Sequence, residues 1–475
     1  MRKKRSLPNQ ICSILASMVL ALSVLSQWSP ARAMSIEEET IVGDKFLESV
    51  RKQFSMADDD FANEYVNELG QYLVKNVETE PFPFRFYVVQ NNDVNAFAGP
   101  GGHIFFYTGL ILAMDRADEL AAVLCHEMGH VTARHLSVRV EQNKKIALAT
   151  LAGILAGALI GGKGGGAIMT GATAANIQQQ LNYSREDERQ ADQLGFKYMN
   201  LSGFDPGGMV TMLKKLERNQ WQDANSVPSY LLTHPGGSER ILNTESMMTS
   251  HEPSKESAEV RKFRTLFPYL KMTLVAKYTE RQEAERFLKR TSEGSPDSPK
   301  LDYGYGLLWK EKSEYGKAVD FLEKASREDP TFLPILRNLG EAYQLKGQDR
   351  QAIAVLERAL RIDDQDKATL FLLAASYENL EEYDKAIVFY ERLASMKPVR
   401  DEVYHNLGVC YGKKGKLALA HYNFAIYFAG IGERQTARFH FQKADELAAN
   451  DPGMKNRIRQ AAESFRDKEK KSPFN

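Results

Sequence analysis

Cys125-His126-Glu127-Met128-Gly129-His130-Val131 is the stretch on which the reading of this chain turns. His126 and His130 are four apart, so on a helix both rings leave the same face. Two neutral imidazoles at that spacing can hold one Zn²⁺. Glu127 lies between them in sequence, where a carboxylate can take a proton from water and pass it to a leaving amine. H-E-x-x-H therefore carries a mechanism, but it is short. A surface helix with two satisfied histidines has the same string, so support has to come from elsewhere.

A catalytic zinc takes a third protein ligand and keeps one position open. One arrangement places a further His six residues after the second; here that position is Leu136. His135 stands one residue early and is expected to point off the metal side. Downstream, Ser184-Arg185-Glu186-Asp187-Glu188-Arg189-Gln190-Ala191-Asp192 offers Glu188 and Asp192 four apart. Glu188 is expected to bind the metal. Asp192, one turn on, is expected to accept a hydrogen bond from the ring N–H of a ligating histidine and fix its tautomer. A solvated charged face, with Arg185 and Arg189 alongside, is the plain alternative. Cys125 adjoins His126, yet a buried small apolar residue explains it better than a ligand.

Around this core the hydrophobic period predicts helices over 36–80 and from Asp118 to about Val140. Phe84–Val89 and His103–Thr108 read as strands, with Gly99-Pro100-Gly101-Gly102 as a turn between them. Residues 180–220 read as helical, broken at Gly203-Phe204-Asp205-Pro206-Gly207-Gly208, and 222–262 as loops and turns. The stretch 146–175 is apolar, built from small residues, and ends in a Gly-rich run. It reads as a soluble helix and lid, with membrane contact as the other reading.

The second half repeats every 34 residues, the period of tetratricopeptide helix pairs. Ala284, Ala318, Ala352, Ala386 and Ala420 keep one register. Gly306, Gly340 and Gly408 keep another, with Ala374 in the missing place, and Trp309, Tyr343, Tyr377 and Tyr411 a third. Small residues let paired helices approach and aromatics fill the space between, so an all-α solenoid is expected over 265–452. Residues 453–475 read as a charged tail that forms a cap and frays. Such arrays more often present a concave surface to a partner than act as spacers.

At 475 residues, two or more domains are expected. The first 33 residues have a secretory pattern: Arg2-Lys3-Lys4-Arg5, an apolar run from Ile11 to Leu25, then Ala31-Arg32-Ala33. Removing Arg2, Lys3, Lys4, Arg5 and Arg32 from a formal net charge of 0 leaves −5. That balance gives no reason to expect a nucleic-acid partner. Outside the leader no apolar run approaches the ~20 residues of a membrane span. With Cys12 in the leader, Cys125 and Cys410 remain and make no disulfide framework.

His126-Glu127-Met128-Gly129-His130-Val131-x-x-Arg134-His135, followed by Tyr183-Ser184-Arg185-x-x-Glu188-x-x-Ala191-Asp192, resembles the M48 metallopeptidases, and Asn95-Ala96-Phe97-Ala98-x-Pro100-Gly101-Gly102-x-Ile104 matches as well. The resemblance covers about 36–245. It implies an α+β gluzincin-type metallopeptidase domain over 34–262, one Zn²⁺ on His126, His130 and Glu188, and Glu127 as general base. It further implies that His103, Ile104, Phe105, Phe106, Tyr107 and Thr108 form an edge strand pairing with extended substrate. His234, in Thr233-His234-Pro235, matches a family histidine that either fills the fourth metal position at rest or stabilises the oxyanion. Arg240 matches a family arginine near the site.

Together these imply a periplasmic zinc endopeptidase of envelope-protein quality control. Its substrates would be unfolded or misassembled envelope proteins, and its repeats would recruit them or an outer-membrane assembly machine. A chaperone-like repeat scaffold with latent proteolysis is the alternative. A membrane-embedded protease is disfavoured by the missing span.

Overall fold

The computed structural model describes residues 34–142, 183–222, 228–249, 256–294 and 298–471. The expectations for the 1–33 leader and the 146–175 lid lie outside the described residues. The chain divides into two units, Met1–Lys271 and Met272–Asn475, with the division inside the helix Ala258–Tyr278.

The first unit is α+β. Helix α1 (Ile36–Gln53) begins at a capping box, in which Ser35 and Glu38 satisfy each other's backbone N–H. Helix α2 (Asp60–Val74) begins where the Asp59 carboxylate accepts the Ala62 N–H. The 36–80 region is thus two helices rather than one. Strands β1 (Arg85–Val89), β2 (Ala96–Ala98) and β3 (His103–Tyr107) form a sheet of order β1-β3-β2. β1 runs parallel to β3, and β2 antiparallel. Phe46 of α1 meets Phe97 and Phe105 edge-on across this sheet, with ring centroids 6.2 and 5.8 Å apart.

This order corrects one expectation. His103–Tyr107 is the central strand, bonded on both sides, and Thr108 opens the next helix, α3 (Thr108–Ala113). The backbone of β3 is occupied and cannot receive another chain. Among the described residues the strand with a free side next to the active-site helix is Ala96–Ala98. The three-residue strand was too short for its alternation to register as a strand.

Helix α4 (Ala117–Thr132) is buried from Ala117 to Val131 without a solvent face. A helix apolar nearly all round belongs at the centre of its unit. It ends two residues beyond His130, not at Val140. Arg134 adopts φ +55, and a separate helix, α5 (His135–Gln142), starts after it. Helix α6 (Arg185–Ser202) has its own capping box, Ser184 with Asp187, and stops at Gly203 with φ 78. Helices α7 (Gly207–Gln222), α8 (Ser229–Thr233) and α9 (Gly237–Met248) follow, so helices occupy much of what reads as loops over 222–262. Among the described residues no helix is long and apolar enough to cross a membrane.

The second unit is all helical, in antiparallel pairs from Pro299–Glu311 and Tyr315–Glu328 through Arg434–Leu447 and Pro452–Lys471. The alanines of the first register are all buried. A Cβ on Gly306, Gly340 or Gly408 would come within 2.5, 2.6 or 2.7 Å of Leu322, Leu356 or Phe424 on the paired helix. That is why the register takes small residues. Two further features share the 34-residue period. Ser313, Gly347, Glu381 and Gly415 all turn their helix pairs at positive φ, between 59 and 76°. Tyr343, Tyr377 and Tyr411 each donate a hydroxyl back to the preceding unit, to Glu323, Glu357 and Glu391. The charged end is not frayed over its described length: Met454 and Ile458 pack into a cluster with Tyr422 and Phe441.

Candidate metal centre

Two glycines bring the central helices together. A Cβ on Gly129 of α4 would lie 2.8 Å from the Ala191 carbonyl of α6, and one on Gly195 would lie 3.2 Å from the His126 nitrogen. With no side chain at either crossing point, the backbones approach closely and the first turn of α6 faces His126 and His130. The Ser184 cap sets the start of α6, so Glu188 is delivered at that turn.

Four side chains converge. His126, His130, Glu188 and His234 are all buried and each offers one donor atom, these lying within 4.8 Å of one another. The Nε2 atoms of His126 and His130 are 3.0 Å apart. His234 Nδ1 is 3.3 Å from His126 Nε2 and 3.0 Å from Glu188 Oε1. Glu188 reaches His130 Nε2 and His126 Nε2 at 3.4 Å each. A tetrahedral ion with bonds of about 2.0–2.1 Å has donors about 3.3–3.4 Å apart. The donor separations of 3.0–3.4 Å quoted above lie near that spacing within a set that spans up to 4.8 Å, and a two-nitrogen, one-carboxylate set plus a third imidazole suits a borderline-soft divalent cation. The residues present therefore fit a metal ion.

A buried ionic frame surrounds the donors. Asp192 Oδ1 lies 2.9 Å from His126 Nδ1. Arg240 donates to both oxygens of Asp192 at 2.8 Å and approaches Glu188 Oε2 through Nη1 at 2.8 Å. Burial would raise the Glu188 carboxyl, but His234, Arg240 and the adjoining rings of His126 and His130 hold it well below its ordinary range. Asp192 is likewise held down, to about 2, because Arg240 and His126 outweigh burial. For His126 the balance runs the other way. Burial and Arg240 disfavour its imidazolium, but Asp192 and Glu188 outweigh them and raise it to about 9. Positive charge is favoured at this point, as a cation would supply. His130 is pushed well down, chiefly by burial.

Glu127 is fully buried, and among the described residues neither of its oxygens has a hydrogen-bond partner. Its nearest charged-group contact among the donors is His234 Nε2, 3.6 Å from Oε1. A buried carboxylate without hydrogen bonds costs on the order of 1–3 kcal/mol or more unless something else engages it. Its position beside the donor set gives it that use.

The structure brings His126, Glu127, His130, Glu188, Asp192, His234 and Arg240 to one place. It does not bring His103–Thr108 there as an open edge. Three further residues border the site, among them His135, expected from its spacing to point off the metal side. Tyr183 stacks on His130 at 3.8 Å, and Tyr230 on His234 at 4.4 Å. Both hydroxyls are buried, without hydrogen-bond partners among the described residues. Burial and the charge of Glu127 raise each far above the ordinary phenol value, so both remain neutral donors. Tyr183 adjoins the Ser184 cap and Tyr230 precedes His234 by one turn, which are the only signals the string holds. The third is His135, whose Nδ1 lies 2.9 Å from His130 Nδ1.

Comparison with known proteins points the same way. Residues 61–248 match peptidase family M48, and 310–377 and 368–400 match tetratricopeptide repeats. A beta-barrel assembly-enhancing protease of Yersinia pestis is 29% identical over 308 residues, 64% of this chain and 62% of that one. Its counterpart from Escherichia coli is 32% identical over 248 residues, 51% of each chain. The chain thus spans between half and 62% of the length of these relatives. A crystal structure of MamA, 24% identical, aligns with a TM-score of 0.31 over 33% of this chain and 91% of that one.

Proposed function

From a chain that carries a peptidase family M48 domain followed by tetratricopeptide repeats, we propose a zinc-dependent endopeptidase of the bacterial periplasm that acts on unfolded or misassembled envelope proteins. The observation that carries this reading is the buried four-donor set with the Glu127 carboxylate beside it, without a hydrogen-bond partner among the described residues.

His126, His130 and Glu188 would hold the ion, and zinc bound there would supply Lewis-acid polarisation of the scissile carbonyl and of the attacking water. Glu127 accepts the proton of that water and returns it to the departing amine, which its buried, unpartnered oxygens leave it free to do. Asp192 holds the His126 ring through Nδ1, and Arg240 fixes Asp192 and Glu188 in turn. The neutral hydroxyls of Tyr183 and Tyr230 are the donors at hand for negative charge developing on the carbonyl oxygen. An extended substrate would add to the free side of Ala96–Ala98, through main-chain hydrogen bonds that are tolerant of sequence. The leader would direct secretion, and the repeats would recruit the substrate or an outer-membrane assembly machine.

His234 favours a second reading of the same chain, a repeat scaffold whose proteolysis is latent. Its Nδ1, 3.3 Å from His126 Nε2 and 3.0 Å from Glu188 Oε1, would stand at the fourth donor position and leave none for water at rest.

The test uses the purified protein beginning at Met34 and its Glu127→Gln variant, with zinc content measured and an unfolded outer-membrane protein as substrate. Zinc in both and cleavage only by the parent supports the proposal. Equal cleavage by the two, or a parent without zinc, overturns it.

A further inference from the structure

We infer that His135 is a positioning residue: it fixes the tautomer of His130 so that the Nε2 lone pair of His130 faces the metal position. The inference rests on the metal-site reading above and assigns the partner that reading leaves open, because Asp192 orients only His126.

His130 and His135 meet through their Nδ1 atoms at 2.9 Å, both rings buried. One must donate and the other accept. The far side of His135 decides which. Its Nε2 lies 3.0 Å from Gln190 Oε1 and 3.9 Å from an oxygen of Asp187. A carboxylate only accepts, so both neighbours favour a proton on His135 Nε2. The neutral ring then has a bare Nδ1, which accepts the N–H of His130 Nδ1. With its proton on Nδ1, His130 presents an unprotonated Nε2, the atom 3.0 Å from His126 Nε2 and 3.4 Å from Glu188 Oε1. The opposite tautomer would place a proton where the ion belongs.

The backbone is bent to make this contact. On a continuous helix His135 would point away from the metal side. Arg134 instead takes φ +55, a conformation that favours glycine, and the chain folds back. The arginine side chain holds the bend: it donates to the Glu39 carboxylate and to the Met34 carbonyl at 2.6 Å each, and to Ser137 Oγ at 3.2 Å. Glu39 is itself buried. A residue kept in an unfavourable conformation by three partners indicates that the turn is needed.

The test measures zinc affinity by chelator competition in the full chain from Met34, with His130→Ala as the control for loss of a ligand. His135→Leu should weaken zinc binding by about 10- to 100-fold. His135→Asn, which keeps an acceptor at the Nδ1 position, should recover most of it. Zinc binding by His135→Leu equal to the parent overturns the inference while leaving the metal site standing. A parent that binds no zinc overturns the metal site itself. If His135→Leu does not fold, Gln190→Leu decides: weakened zinc binding supports the relay and parent-like binding refutes it. Nitrogen NMR of the histidine rings gives a readout independent of metal. The His130 proton should sit on Nδ1 in the ion-free parent, and finding it on Nε2 would refute the inference.

Discussion

His234 Nδ1 lies 3.0 Å from Glu188 Oε1, within hydrogen-bond reach and a little inside the separation of two donors on one tetrahedral ion. Of the two roles implied for His234, occupant or oxyanion donor, this contact supports the first. Peptide hydrolysis should then rise in His234→Ala, by several-fold, with one zinc per chain retained. The measurement is turnover of a short unstructured peptide alongside metal analysis. A drop in turnover with zinc unchanged would favour the oxyanion role.

Arg240 is the counter-ion of a buried anionic pair. Its guanidinium touches both Asp192 and Glu188, and all three are buried. Removing one member of such a network leaves uncompensated charge inside the protein, at a cost on the order of 3–5 kcal/mol. Arg240→Leu should therefore lower the melting transition of the first unit by several degrees in the ion-free protein. Zinc should restore part of the loss, since a divalent cation replaces the missing positive charge beside Glu188. A transition unmoved by the substitution would show that the network is dispensable.

How much of this was legible in the string depends on what each feature is made of. The donors were legible because helix geometry ties spacing to direction: His126 with His130, and Glu188 with Asp192, each sit one turn apart. The solenoid was legible because contacts between neighbours force a period, and the alanine register falls on buried positions throughout. Strand order was not legible. Which strand lies in the middle depends on pairings between segments, and β3 reads the same as a central or an edge strand until β2 is seen to bond to it. The bend at Arg134 was hidden for a different reason. Residue type marks positive φ only when it is glycine, and here Glu39 of α1, the Met34 carbonyl and Ser137 hold the conformation on an arginine.

His103, misread as part of a substrate edge, has a structural consequence for acid stability. It is buried beside Tyr87, whose hydroxyl lies 3.0 Å from Nδ1. Burial and then Arg85 push its pKa down to about 4, from an ordinary value near 6.5. The unfolded chain thus binds a proton between these values while the folded chain does not, so stability falls as pH drops from about 6.5 towards 4. The full loss is about 3 kcal/mol by that linkage. Urea unfolding of the first unit at pH 7 and pH 4.5 should show a smaller acid shift in His103→Gln than in the parent. The same shift in both would mean that other groups carry the acid sensitivity.

The repeat array offers a test that separates the two units. Gly340 faces Leu356 so closely that a Cβ would lie 2.6 Å from its Cδ2 and 2.7 Å from its Cγ. Gly340→Val adds three carbons at that crossing, which overpacks the pair by about 1–3 kcal/mol. Neighbouring repeats share the strain, because Tyr377 and Gln344 bond across successive pairs. The unfolding transition of the second unit should move to lower temperature, while that of the first stays in place. The metal site lies wholly in the first unit, so hydrolysis of a short unstructured peptide should be unchanged. Cleavage of a full-length unfolded envelope protein should fall if the repeats hold it. Loss of peptide hydrolysis in a variant whose first unit still melts normally would show that catalysis depends on the repeats directly, against the division of labour proposed above.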